Sequence, residues 1–299
     1  MFISGIGTAT PPRRYLQKDI FEAARTAPQF LRLTDRSRAL CEKVLTGDNG
    51  IVSRYLALES ATEAFESSPD VLHARFTKHA PALAAQASQR ALQDARMHPG
   101  DVDAVIVSTC TGYLCPGLTS YVSERLGLKQ DVLPLDLVGQ GCVAALPNLR
   151  MAESLLESQR CERVLSVCVE LCSAAYYLDD DPGVLVSACL FGDAAGAAVL
   201  TKEALDHKRR VAWKGCGSLL NPSARDLLRF EQRNGMLRNI LAPEVPAVAA
   251  EYAERVLSVV LARASTPREA ITTWIWHAGG RDVLQALRDR LGLEESATC

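Results

Sequence analysis

The chain has 299 residues, of which 48% are hydrophobic and 23% charged, with a net charge of −2. That is enough apolar material for one large domain or two medium ones, and it lacks the basic footprint of a nucleic-acid binder. No apolar run reaches membrane-spanning length, and the opening Met1-Phe-Ile-Ser-Gly-Ile-Gly7 has neither the basic region nor the apolar core of a signal peptide. The ten cysteines sit mostly in apolar contexts, form no CxxC pair and have no histidine at zinc spacing. They read as reduced thiols of a cytoplasmic protein without a metal site.

In chain order, a first strand ends at Pro11-Pro12. Residues 17–45 read as helical and rather basic, with Arg32, Arg36, Arg38 and Lys43, until Gly47-Asp48-Asn49-Gly50 breaks the pattern. Residues 51–80 look irregular. A helix is predicted over 81–97, with Ala84, Ala87, Ala91 and Ala95 on one face for close packing against a sheet. His98-Pro99-Gly100 ends it, and a strand follows over 103–108. A loop over 109–117 leads to a helix that runs through Arg125. Residues 132–135 form a strand that enters the glycine pair Gly139 and Gly141, and then a small-residue helix. Residues 163–170 make another buried strand, 176–183 an acidic excursion, and 194–200 an alanine-glycine strand. Residues 202–210 look like a charged surface crossing.

A second unit then repeats the first. Ala249, Ala253, Val256 and Val260 share a helical face, and a strand is predicted over 271–276, running into His277-Ala-Gly-Gly280. Setting Pro99 against Pro267 aligns Gly112 with Gly280 and Thr109 with His277 without a gap. The echo suggests a duplicated α/β fold, divided at 1–205 and 206–299, whose sites lie at strand ends.

Two residues stand out chemically. Cys142 sits where a strand meets a helix, between glycines that permit a tight turn, and a helix N-terminus favours the thiolate. The plain alternative is a small buried cysteine in a packed turn. His277, at the end of a stiff segment and before two glycines, is either the imidazole partner of such a thiol or a satisfied core histidine.

Gln140-Gly-Cys142, Leu190-Phe-Gly-Asp193, Trp276-His-Ala-Gly-Gly280 and Thr111-Gly-Tyr-Leu-Cys-Pro-Gly117 together resemble the type III polyketide synthases, the chalcone-synthase-like branch of the thiolase superfamily. The likeness runs over nearly the whole chain and is closer to bacterial members. It implies a thiolase-like α/β fold, with duplicated halves in a layered αβαβα arrangement. It also implies a homodimer that uses malonyl-CoA and a starter acyl-CoA, with no bound cofactor. Cys142 would carry the acyl group, and His277 would pair with its thiolate and stabilise the enolate left by decarboxylation. The resemblance makes Phe191 a gate between the CoA tunnel and the cavity. Cys110, Thr111, Gly279 and Gly280 would line substrate, and Cys115 would reach into the partner's cavity. Arg36, Arg38 and Lys43 would meet the CoA phosphates.

Two departures stand beside the likeness. Arg238 falls near a second gatekeeper phenylalanine of the family. The family's catalytic asparagine, in a Gly-Asn pair after the histidine, has no counterpart between His277 and Cys299, so the second half is expected to be incomplete. The alternatives are therefore an impaired paralogue or fragment that serves only as a dimer partner, or a single-round condensing enzyme like the ketoacyl synthase III group.

Overall fold

The computed structural model describes residues 1–206, 210–277 and 279–297. Parts of the predicted crossing at 202–210 and of the His277-Ala-Gly-Gly280 segment lie outside them. The chain divides into two units, Met1–Trp213 with Glu231–Arg238, and Lys214–Phe230 with Asn239–Cys299.

The first unit opens with β1 (Phe2–Ala9) and β2 (Arg14–Leu16). Three helices follow, α1 (Gln17–Ala24), α2 (Pro28–Leu31) and α3 (Asp35–Thr46), then β3 (Ser53–Tyr55), which pairs with β2. The predicted basic helix over 17–45 is thus three helices, because Pro28 cannot continue α1 and instead starts α2. Helix α4 (Pro69–Ala95) begins well before the predicted position 81. Its start signal is Ser68, whose hydroxyl accepts from the Val71 N–H, followed by Pro69 in the first turn. Pro81 forgoes one backbone hydrogen bond, but its ring is buried inside the continuing helix.

The rest of this unit is β4 (Ala104–Thr109), α5 (Leu118–Leu126), β5 (Leu133–Val138), α6 (Ala145–Glu157), β6 (Arg163–Glu170), α7 (Pro182–Leu190), β7 (Ala194–Thr201) and β8 (Val211–Ala212). Six strands form one sheet in the order β5-β4-β6-β7-β1-β8. The β5, β4 and β6 strands run parallel; β7 lies antiparallel between β6 and β1. Strand β4 is buried at every position, as a strand covered on both faces must be. On one face Val105, Val107, Leu165 and Val167 pack with the alanine stripe of α4. On the other, Ala104, Ile106, Val164 and Leu200 pack with Ala152 and Leu156 of α6. A third apolar cluster joins Ile20, Cys41, Leu45, Leu185 and Cys189 from α1, α3 and α7.

The contact between α4 and β1 is unusually close. A Cβ at Gly7 would lie 2.2 Å from the Ala87 carbonyl oxygen, and one at Gly5 would lie 2.3 Å from that of Ala91. Small residues on both elements let the backbones touch, as the alanine periodicity anticipates.

A hairpin of β9 (Leu228–Arg233) and β10 (Met236–Leu241) turns at Asn234 and Gly235, both with positive φ. In the second unit α8 (Val245–Arg263) packs on α9 (Arg281–Leu291), with an ion pair of 2.7 Å between Glu254 and Arg290. The α8 residues Ala249, Ala253, Val256 and Val260 are half-buried. The predicted strand over 271–276 is corrected here: only Trp274 makes an isolated bridge, and Ile275 is exposed. A strand exists only where a neighbour completes its ladder, and here the bridging stops at Trp274.

Candidate active site

Cys142 follows β5 at the carboxyl edge of the sheet. Gly139 (φ 75°) and Gly141 (φ 59°) both adopt left-handed backbone, which turns the chain into a short 3-10 turn, Gly141–Val143, ahead of α6. The side chain is exposed. The predicted tilt toward thiolate is corrected: partial loss of water around the sulfur, and then the Glu170 carboxylate, raise the thiol above its ordinary value.

Glu170 is the residue that sequence reasoning missed. It ends β6, and β4–β6 pairing of Ser108 with Cys168 carries the 109–111 segment alongside it. The Cys110 N–H donates to both carboxylate oxygens at 3.0 and 3.1 Å, and the Thr111 hydroxyl donates at 2.8 Å. The Thr111 oxygen in turn accepts the Leu171 N–H at 2.8 Å. Burial nonetheless pushes the Glu170 carboxyl upward, and burial first, then the Glu170 charge, raise Cys110 well above the usual thiol range and Cys168 to about 11. A lone carboxylate closing an apolar strand at the carboxyl edge of an α/β sheet is the sequence signal for it.

The sign of this coupling is testable. Above the raised folded value, Glu170 is anionic and opposes ionisation of Cys142; below it, the opposition fades as the carboxyl protonates. Glu170→Gln is expected to move the alkylation pH profile of Cys142 to lower pH and to speed labelling at pH 7 by roughly two- to fivefold. An unmoved midpoint would show that the carboxylate does not act on this sulfur.

Tyr176 joins this group to Phe191. Its ring lies 5.7 Å from that of Phe191 with a 32° tilt. Burial raises the Tyr176 hydroxyl far above its ordinary value, with Cys172, Cys110, Glu170 and Cys142 adding in that order. Phe191 caps α7, its N–H donating to the Ser187 carbonyl. Asp193, 2% exposed, anchors the segment by accepting from Ala57 N–H (2.6 Å), Ser173 N–H (2.8 Å) and Ser173 Oγ (2.6 Å).

The other expected site residues fall into place differently. Thr111 is buried, Cys110 half-buried and Cys115 exposed. On α3, Arg36 and Lys43 are exposed, whereas Arg38 donates to the Leu31 and Leu33 carbonyls at 3.0 and 2.9 Å and pairs with Asp35. Arg38 is thus committed to holding the end of α2. Arg238, where the resemblance places a phenylalanine, pairs with Asp181 and Glu231. In the second unit His277 is exposed, its carbonyl accepting the Gly279 N–H at 2.9 Å, and Gly279 and Gly280 precede α9. Of the asparagines upstream of His277, Asn234 forms the hairpin turn and Asn239 is buried. No group of His, Cys, Asp or Glu among the described residues could hold a metal ion, and no described helix is long and apolar enough to cross a membrane.

Comparison with known proteins gives one family model, described as FAE1/type III polyketide synthase-like protein, over residues 14–214. The chain is 28% identical to a 3,5-dihydroxyphenylacetyl-CoA synthase of Streptomyces toyocaensis, covering 97% of this chain and 74% of that protein. It is 28% identical to a 1,3,6,8-tetrahydroxynaphthalene synthase of Streptomyces peucetius subsp. caesius, over 99% and 78%. Among solved structures, CsyB complexed with CoA-SH matches with a TM-score of 0.86 and 25% identity, covering 99% of this chain and 84% of that one.

Proposed function

We propose the reaction below on the premise that this chain belongs to the type III polyketide synthase family. It is an enzyme of the acyltransferase class, with a thiolase-like α/β fold. In our reading, 1–205 forms the half that carries the nucleophile, and 206–299 the half that carries His277. Cys142 attacks the thioester carbonyl of a starter acyl-CoA; the acyl–sulfur bond to CoA breaks, and the CoA thiol leaves with a proton. Malonyl-CoA then loses carbon dioxide. The resulting enolate carbon attacks the acyl group on Cys142, and the cysteine sulfur departs from a chain two carbons longer, now on CoA.

His277 is assigned the imidazole that accepts the thiol proton and donates to the enolate oxygen. A positioned donor to such an oxyanion is worth roughly 2.7–4 kcal/mol. Phe191 serves as the gate, and Cys110, Thr111, Gly279 and Gly280 as lining. Arg36 and Lys43 are free to meet CoA phosphates, with Arg38 holding their helix. The name of the matched CsyB complex, which includes CoA-SH, supports a CoA substrate. All nine described cysteines are unpaired, which suits a reducing, cytoplasmic setting.

The observation that carries this reading is the exposed Cys142 thiol on a glycine-built joint at the sheet's carboxyl edge, within the matched region. Incubation with malonyl-CoA and a series of acyl-CoA starters is expected to release carbon dioxide and a pyrone or phenolic product. Iodoacetamide is expected to label Cys142 ahead of the other cysteines. Labelling that spares Cys142, or no product from any starter, would sink the reading.

We place the homodimer interface at β5. It is an edge strand with Leu133 and Val138 exposed, and Val143, Leu146 and Met151 extend the apolar surface beyond it. Such an edge invites a second copy. The chain is expected to be dimeric by light scattering, and Val138→Asp to shift it toward monomer. A monomeric wild type would remove this assignment.

A further inference from the structure

Arg54 is a buried cation that the reaction does not use. It lies in β3 with 6% exposure; its hydrogen bonds go to an amide oxygen and two backbone carbonyls, and the buried Asp193 carboxylate is near enough to favour its charge. Its Nη1 donates to the Ala188 carbonyl at 2.7 Å and to the Phe191 carbonyl at 2.8 Å. Its Nε donates to Gln17 Oε1 at 2.9 Å, and Gln17 Nε2 donates in turn to the Cys189 carbonyl at 2.7 Å. Three carbonyls at the end of α7 are therefore held by one guanidinium and one amide.

Helix ends leave carbonyls without intrahelical donors, and a cation there also answers the negative end of the helix dipole. A guanidinium binds two such oxygens through Nη1 while its Nε is anchored on Gln17, a rigid fork that the compact point charge of an ammonium does not match. The neighbouring backbone tightens the same grip. The Tyr55 carbonyl accepts the Asp193 N–H at 2.9 Å, and the Ala57 N–H donates to Asp193. Segment 54–57 thus binds the residues on both sides of Phe191, whose ring is left to pack against Tyr176.

We propose that Arg54 is a positioning residue for the Phe191 gate: by binding the Ala188 and Phe191 carbonyls together, it sets where the Phe191 ring stands and so which acyl groups reach Cys142. The proposal rests on the reading of Phe191 as a gate. It assigns starter selection partly to a residue on β3 that touches no substrate.

The test needs no turnover. Two alkylation rates are measured at Cys142 by mass spectrometry, one with iodoacetamide and one with a bulky N-aryl maleimide. Phe191→Ala is expected to raise the bulky-to-small rate ratio. Arg54→Lys is expected to raise it about tenfold, the scale of one charged hydrogen bond, with the iodoacetamide rate little changed. The double variant is expected to go no further than the larger single effect. A flat ratio in Arg54→Lys, or single effects that multiply in the double variant, overturns the proposal while leaving the gate intact. A flat ratio in Phe191→Ala overturns the gate reading itself. Circular dichroism checks folding. If Arg54→Lys does not fold, Gln17→Leu replaces it: it removes the anchor of the Arg54 Nε and so loosens the grip of Nη1 on both carbonyls, a smaller rise is expected, and no rise overturns the proposal.

Discussion

Cys142→Ala is expected to abolish product formation, lowering the rate by roughly a thousandfold or more, as removal of a covalent nucleophile does elsewhere. The fold is expected to survive, because the side chain is exposed and its truncation opens no cavity. Cys110→Ala provides the contrast. Its sulfur is close enough to Cys142 for the two charges to interact, but burial and Glu170 hold it far from ionisation. Loss of Cys110 should therefore change which starters are accepted more than it changes the rate of carbon–carbon bond formation. The measurement is product and carbon dioxide by mass spectrometry, with purified variants at matched concentration. A Cys142→Ala protein that keeps more than about a tenth of the wild-type rate would show that the acyl group is carried elsewhere.

Gly7→Val is expected to destabilise the first unit by about 3 kcal/mol or more, a large share of the 5–15 kcal/mol that holds a typical domain. Its Cβ would meet the Ala87 oxygen at 2.2 Å and the Ala91 nitrogen at 2.4 Å, both backbone atoms that cannot rotate aside. Nor can α4 slide to make room. The Arg90 guanidinium donates to the Thr8 carbonyl at 2.6 Å, and Asp94 accepts the Ile6 N–H at 3.0 Å, so the helix is strapped to β1 on both sides of the clash. Urea denaturation followed by circular dichroism reads the loss as a lower midpoint at unchanged slope. Ile6→Ala, at a side chain 61% exposed on the same strand, is the control and should shift stability by no more than about 0.5 kcal/mol. Equal effects of the two substitutions would show that the close approach is not what makes Gly7 necessary.

Several features are legible in the sequence because they are local. The stripe Ala84, Ala87, Ala91 and Ala95 repeats at helical spacing, and all four residues are buried. Gly139 and Gly141 announce a turn that only their backbone freedom allows. The buried strand over 163–170 coincides with β6. Where local signals compete, the reading goes astray. Residues 51–80 look irregular, yet the Ser68-Pro69 cap starts the helix well upstream of 81, and packing of the alanine face carries it through Pro81.

By itself the sequence determined the family, the α/β class and the position of the candidate nucleophile, since each is written in short contiguous motifs. Tertiary structure decided the electrostatics and the support of that site. Cys142 is raised rather than lowered because folding takes water from around its sulfur and, second, brings the Glu170 carboxylate to bear on it, and no spacing rule connects those positions. Arg54 holds the Phe191 carbonyl for the same reason: hydrogen bonds between distant segments depend on which backbones folding brings into reach. Apolar pattern likewise marks 271–276 as strand-like, but a strand is a relation between neighbours, and that relation is settled only in three dimensions.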